Sequence, residues 1–91
     1  MITVHFFAAA RAAAGQSSQS LELSDIAEKS PTLADLTAYL AHHYTGRTPS
    51  GMSLAKVLEQ CSFLVNGSRA ETETLIPESA RVDVMPPFAG G

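Results

Sequence analysis

The residues whose type and place could do chemistry are the last two, Gly90 and Gly91. Glycine has no side chain, the widest backbone freedom and the smallest cross-section of any residue. A chain ending in two of them can thread into a narrow site and set its terminal carboxylate there. That carboxylate is ionised at neutral pH and is a poor electrophile until it is activated. The simplest activation is an acyl-adenylate, made with ATP by another enzyme. A sulfur nucleophile that displaces AMP would leave a thiocarboxylate, and an amine would leave an isopeptide. Either way the chain is a tethered reagent and the catalyst lies elsewhere. The residues just before suit this use. Pro86 and Pro87 donate no backbone N–H, so they stop a strand ladder, and they hold the exit segment extended and stiff. Phe88 and Ala89 follow, giving an expected extended, flexible tail over residues 86–91 on a folded unit of residues 1–85.

Other groups offer less. His42 and His43 are adjacent, so on a helix they do not share a face for a metal, and His5 is isolated; no metal site is expected. Cys61 is the single cysteine, which rules out an internal disulfide or a cysteine cluster, and a buried inert thiol is the better reading. Asn66-Gly67-Ser68 fits the N-glycosylation pattern, but Asn-Gly is also a hairpin turn signal, and the turn reading is preferred. Ser24-Asp25 and the scattered acids form no triad or carboxylate pair. A net charge of -3 with no Lys/Arg cluster argues against nucleic acid. No apolar stretch is long enough for a membrane helix, and no signal core follows the N-terminus. A reducing, cytoplasmic setting is expected.

The elements that must position the tail follow from periodicity. With 45% hydrophobic and 16% charged residues over 91 positions, the composition is that of one globular domain. A domain of this size buries roughly 60–65% of its unfolded surface, enough for one modest core but no deep, walled active site. Met1–Phe7 alternates as a strand, with Ile2, Val4 and Phe6 on one face and Thr3, His5 and Phe7 on the other. Ala8–Ala14 suits one or two helical turns ended by Gly15. Ser20–Ser24 alternates as a second strand, pairing with the first. Thr32 and Asp35 form a capping box for a helix carrying Leu33, Leu36 and Leu40, extended by Tyr39 and Tyr44 and closed by Gly46. Met52–Gln60 suits a short helix with Leu54, Val57 and Leu58 inward. Cys61–Asn66 is a strand, Asn66-Gly67 a turn, and Arg69–Thr72 a short return strand. Arg81–Met85 is the last strand, with Val82 and Val84 on one face and Arg81, Asp83 and Met85 on the other. Pattern alone supports an α+β class.

Three stretches carry a resemblance over nearly the whole chain. They are Phe6-Phe7-Ala8-Ala9-Ala10-Arg11 after the first strand, Val65-Asn66-Gly67 at the hairpin, and Met85-Pro86-Pro87-Phe88-Ala89-Gly90-Gly91 at the end. Together they resemble the MoaD/ThiS group of sulfur carriers, most closely the small subunit of molybdopterin synthase. The resemblance implies a β-grasp (ubiquitin-like) roll, a mixed sheet of about four or five strands packed on one main helix. It implies that an ubiquitin-activating-like adenylyltransferase consumes ATP to adenylate Gly91, and that a sulfur relay protein converts it to a thiocarboxylate. The tail would then enter the active site of the large synthase subunit, within a heterotetramer, and give its sulfur to cyclic pyranopterin monophosphate. The small subunit would bind no cofactor and hold no catalytic site of its own.

The docking residues expected beside the tail are Phe7, Met85 and Phe88, on the face opposite the core, with Pro86, Pro87, Ala89 and the charge of Arg11. The chain departs from the pattern in three places. Glu78-Ser79-Ala80 replaces an Asp-Gly-Asp-type turn, Arg69 stands where an apolar contact residue is common, and the loop at 47–52 looks extended. Carriers for cysteine or thiazole synthesis, a modifier joined to lysines through Gly91, and a binding module with an inert tail are the competing readings.

Overall fold

The computed structural model describes residues 1–27 and 29–87. The order of elements is β1 (Ile2–Phe6), α1 (Ala8–Ala14), β2 (Ser18–Leu21), α2 (Leu23–Ile26), α3 (Leu33–His43), α4 (Leu54–Leu58), β3 (Ser62–Val65), β4 (Ser68–Ala70) and β5 (Arg81–Met85). The strands form one mixed sheet in the order β2-β1-β5-β3-β4. β1 runs parallel to β5, and every other neighbouring pair is antiparallel. The two ends of the sequence thus supply the centre of the sheet. With α3 as the long helix across it, this is the α+β, β-grasp arrangement that the sequence implies.

Alternation decides which face is covered. Ile2, Val4 and Phe6 from β1, Val82 and Val84 from β5, and Phe63 and Val65 from β3 are all buried. They meet Leu33, Leu36 and Leu40 of α3, Leu54, Val57 and Leu58 of α4, and Ala10 and Ala13 of α1 in one core. Phe6 also packs edge-to-face on Tyr44, with ring centroids 5.6 Å apart. At roughly 25 cal/mol per Å² of apolar surface removed from water, this shared layer is the main source of stability.

The local signals hold at several ends. Gly15 caps α1 with φ +77°, a left-handed value that favours glycine, and its N–H donates to the Arg11 carbonyl. Thr32 and Asp35 close a capping box at α3: the Asp35 N–H donates to Thr32 Oγ1 at 3.2 Å, and the Thr32 N–H donates to Asp35 Oδ2 at 2.9 Å. Asn66 and Gly67 both have positive φ, 51° and 83°, as a two-residue hairpin turn requires.

Three expectations change. The second strand was expected over Ser20–Ser24, but β2 ends at Leu21 and Leu23-Ser24 belong to α2. Glu22 and Asp25 form a second capping box, which starts a helical turn there and overrides the short alternation. Gly46 does not close α3, which stops at His43 with Tyr44 as its cap. A Cβ on Gly46 would sit 2.4 Å from the Ala13 carbonyl oxygen, so glycine is needed there to let the chain pass α1. The third is the return strand, expected over Arg69–Thr72 but formed as β4 over Ser68–Ala70; Asp83 keeps the side that alternation gives it, with Arg81 and Met85, yet is only 8% exposed.

Candidate functional site

The candidate site begins where β5 stops. The described chain leaves the sheet through Pro86, which is buried, and Pro87, which is exposed. Phe88, Ala89, Gly90 and Gly91, the tail residues singled out from the sequence, lie outside the described residues. Pro86 and Pro87 line a pocket of about 270 Å³ with Ala8, Ala9, Met52, Val57, Thr48, Ser50 and Gln60. The stem therefore emerges between the start of α1 and the loop before α4.

That loop is more ordered than its composition suggests. Thr48 is nearly buried; its N–H donates to the Met52 carbonyl at 2.8 Å, and its hydroxyl accepts from the Met52 N–H at 3.0 Å. Arg47 donates to the Gly51 carbonyl at 2.9 Å. The extended loop at 47–52 is thus a hydrogen-bonded wall beside the stem. The other wall carries backbone strain, since Ala8 takes φ +49° at the junction of β1 and α1. Left-handed backbone costs a non-glycine residue on the order of 1–2 kcal/mol, and such strain gathers at functional sites.

Phe7 and Met85 follow the last paired residues of β1 and β5. The register pairs Phe6 with Val84, and the Phe7 N–H donates to the Val84 carbonyl at 3.3 Å, which carries the parallel ladder one step further. Phe7 is thereby set beside Met85, on the face away from the core, and both are half-buried. Leu64, also half-buried, lies on the same face beside Asp83. Arg11 is exposed one helical turn from Phe7, and its backbone N–H donates to the Phe7 carbonyl. Phe7, Met85, Pro86, Pro87 and Arg11 thus lie around the root of the tail.

Charged groups occupy the far end of that open face. Leu64 pairs with both Asp83 and Arg69, so β4 places Arg69 in the same row. Asp83 accepts a 2.8 Å hydrogen bond from Arg81 Nε. Sequence reasoning missed the burial of Asp83. An aspartate in the middle of a strand, where that residue is disfavoured, was the available signal.

His5 lies on this open face beside Asp83, whereas the single thiol stays apart from it. Cys61 lies on the helix side, in a groove of about 380 Å³ shared with Ala38, Ala41, Leu58 and Phe63. Its thiol donates to the Val57 carbonyl at 3.2 Å, and burial pushes its pKa up to about 11. The described residues contain no group of three or more His, Cys, Asp or Glu able to hold a metal. None of the described helices is long and apolar enough to cross a membrane.

The model of the ThiS family matches residues 4–91, almost the whole chain and through its last glycine. The chain belongs to the ThiS family. Its type is therefore that of a ThiS/MoaD sulfur carrier or a ubiquitin-like modifier. Solved structures agree on the fold. Crystal structures of small archaeal modifier protein 1 (SAMP1) from Haloferax volcanii include one that is 18% identical, with a TM-score of 0.68 over 99% of this chain and 98% of that one. The HVO 2177 protein of the same organism is 25% identical, with a TM-score of 0.69 over 99% of this chain and 85% of that one. A Pyrococcus furiosus protein named "putative molybdopterin converting factor, subunit 1" is 20% identical, with a TM-score of 0.67 over 96% of this chain and 97% of its own. No curated protein matches the chain.

Proposed function

We propose that this ThiS-family chain is the sulfur carrier subunit of molybdopterin synthase. An ubiquitin-activating-like adenylyltransferase joins the Gly91 carboxylate to AMP from ATP, releasing pyrophosphate. A sulfur relay protein then supplies sulfur at the sulfide level, which attacks the acyl carbon, forms the C–S bond as the bond to AMP breaks, and leaves the thiocarboxylate with free AMP. The tail enters the active site of the large subunit, within a heterotetramer, and gives its sulfur to cyclic pyranopterin monophosphate. All of this takes place in a reducing cytoplasm.

The observation that carries this reading is the root of the tail. β5 sits at the centre of the sheet and ends at Met85, and Pro86 and Pro87 follow beside Phe7 and a hydrogen-bonded wall. An apolar, half-open face next to a reactive end is what a tail-receiving partner would seat on. The likeness to the Pyrococcus converting-factor protein supports this pathway among those a sulfur carrier serves.

The test is the intact mass of the chain after incubation with ATP, a sulfur source and extract of its own cell. A gain matching one oxygen replaced by sulfur, absent when Gly91 is deleted, establishes the carrier. Purified large subunit and pterin precursor then decide the pathway. The fold shared with the archaeal modifiers favours a second reading, conjugation through Gly91. Lysine-linked adducts with an unchanged mass of the free chain would move that reading to the front.

A further inference from the structure

The open face of the sheet carries an arginine held from two sides. The backbone of Arg81 is clamped by the hairpin turn: its N–H donates to Asn66 Oδ1 at 2.9 Å, and its carbonyl accepts from the Asn66 N–H at 2.8 Å. Its side chain is clamped by Asp83, which takes the Nε hydrogen at 2.8 Å. Asp83 has 12% of its side-chain surface exposed, while Arg81 has 55%. Among the described residues, the two terminal amino groups of this guanidinium have no partner.

This arrangement explains a residue that stability alone does not. Asp83 is in the middle of β5, between β1 and β3, where its register partners are His5 and Leu64. Burying a carboxylate there costs free energy that an exposed arginine offsets only in part. A sheet residue that breaks the local rule without a packing gain points to function. With Nε engaged by Asp83, the guanidinium is tethered at one atom and its two terminal amino groups remain to bond elsewhere, on a side chain that is more than half exposed. Two parallel N–H groups on a planar fork match a carboxylate in bidentate fashion, which a lysine ammonium does not.

We propose that Arg81 is a recognition residue for a side-chain carboxylate on the protein that receives the tail, and that Asp83 and Asn66 are its positioning residues. This rests on the docking reading given under the proposed function, and it states the partner's chemistry. The sign of the face supports it. The charged residues that β1, β3, β4 and β5 turn to this side are Arg69, Arg81 and Asp83. The one carboxylate among them is engaged by Arg81, which leaves a cationic patch on a chain of net charge -3. The partner surface then has two parts: an apolar seat for Phe7, Leu64 and Met85 near the tail, and an Asp or Glu opposite Arg81 farther along the strand.

The experiment measures binding of the full-length chain to the purified cognate large subunit, and separately to the cognate adenylyltransferase, by calorimetry at low and high salt. Thermal unfolding of each variant runs alongside. With at least one of the two proteins, Arg81→Gln and Arg81→Lys are each expected to weaken binding about tenfold or more. Arg81→Gln should also flatten the salt dependence, with its unfolding temperature close to that of the unaltered chain. Asp83→Asn should weaken binding in the same direction. A partner carboxylate changed to arginine should restore binding to Arg81→Glu. If both Arg81 variants bind both proteins as tightly as the unaltered chain while Met85→Ala weakens binding, the docking reading stands and this inference is overturned. If Met85→Ala also binds unchanged, or the unaltered chain binds neither protein, the docking reading fails and takes this inference with it.

Discussion

Phe6 and Phe7 are neighbours in sequence and opposites in role. Phe6 points into the helix-backed layer, is 2% exposed and packs on Tyr44. Phe7 continues the same strand direction but faces the open side, half-buried beside Met85. The same split runs through β5, where Val82 and Val84 face the core while Arg81, Asp83 and Met85 face out. A single sheet therefore separates two jobs by parity. One side holds the fold, and the other keeps apolar and charged groups within reach of a partner, next to the root of the tail. Substitutions at adjacent positions should consequently fail in different assays.

The largest effect should come from the core side. Phe6→Ala removes a fully buried ring and is expected to cost about 3–5 kcal/mol. In a domain of this size that lowers the unfolding temperature by more than about 12 °C, measured by circular dichroism. Phe7→Ala removes a half-buried ring and should cost only about 1 kcal/mol of stability, roughly half the worth of a fully buried phenylalanine. Its loss should appear instead in affinity for the tail-receiving partner. If Phe7→Ala unfolds the chain as readily as Phe6→Ala does, the two sides are not separated as described.

How much of this was legible from residues depended on range. Local devices read well: the Thr32–Asp35 box, the Gly15 cap and the Asn66-Gly67 turn each depend on residues at most four apart. The inner set of β1 and β5 read well too, because alternation along those strands needs no knowledge of partners. The Glu22–Asp25 box was missed because Leu21-Glu22-Leu23 imitates a strand over three residues, and a glutamate is a less familiar cap. The parallel β1–β5 pairing joins the ends of the chain, so no local pattern encodes it; the resemblance carried that step. Asp83 was assigned outward correctly by parity, but its burial comes from lying on a central strand between Leu64 and His5, which only the strand order reveals.

A smaller effect would sharpen the distinction from the helix side. Thr32→Ala removes the hydroxyl that accepts the Asp35 N–H at the start of α3. Loss of such a cap costs about 1 kcal/mol, seen as a fall of roughly 4–8 °C in the unfolding temperature. Partner affinity should not change, because α3 lies behind the sheet. A weakened partner interaction in this variant would show that the helical layer takes part in docking.

The smallest effect concerns the one thiol. Cys61 lies on the helix side with Phe63, and its folded pKa of about 11 is above the ordinary value of 9.0 because burial disfavours the thiolate. The native state therefore holds the proton more tightly than the unfolded chain does. Stability from this difference is fully present below about pH 9 and is lost as pH rises through 11. Tyrosines and lysines also titrate in that range, so the readout is a comparison. Between pH 9 and 11 the urea midpoint should fall more in the unaltered chain than in Cys61→Ala. At pH 8 the folded chain should react with iodoacetamide far more slowly than the unfolded one, since the thiolate is the nucleophile. Fast alkylation of the folded chain would mean that this thiol is poised for reaction. The helix side could then no longer be described as purely structural, and the assignment of all sulfur chemistry to the tail would need a second site.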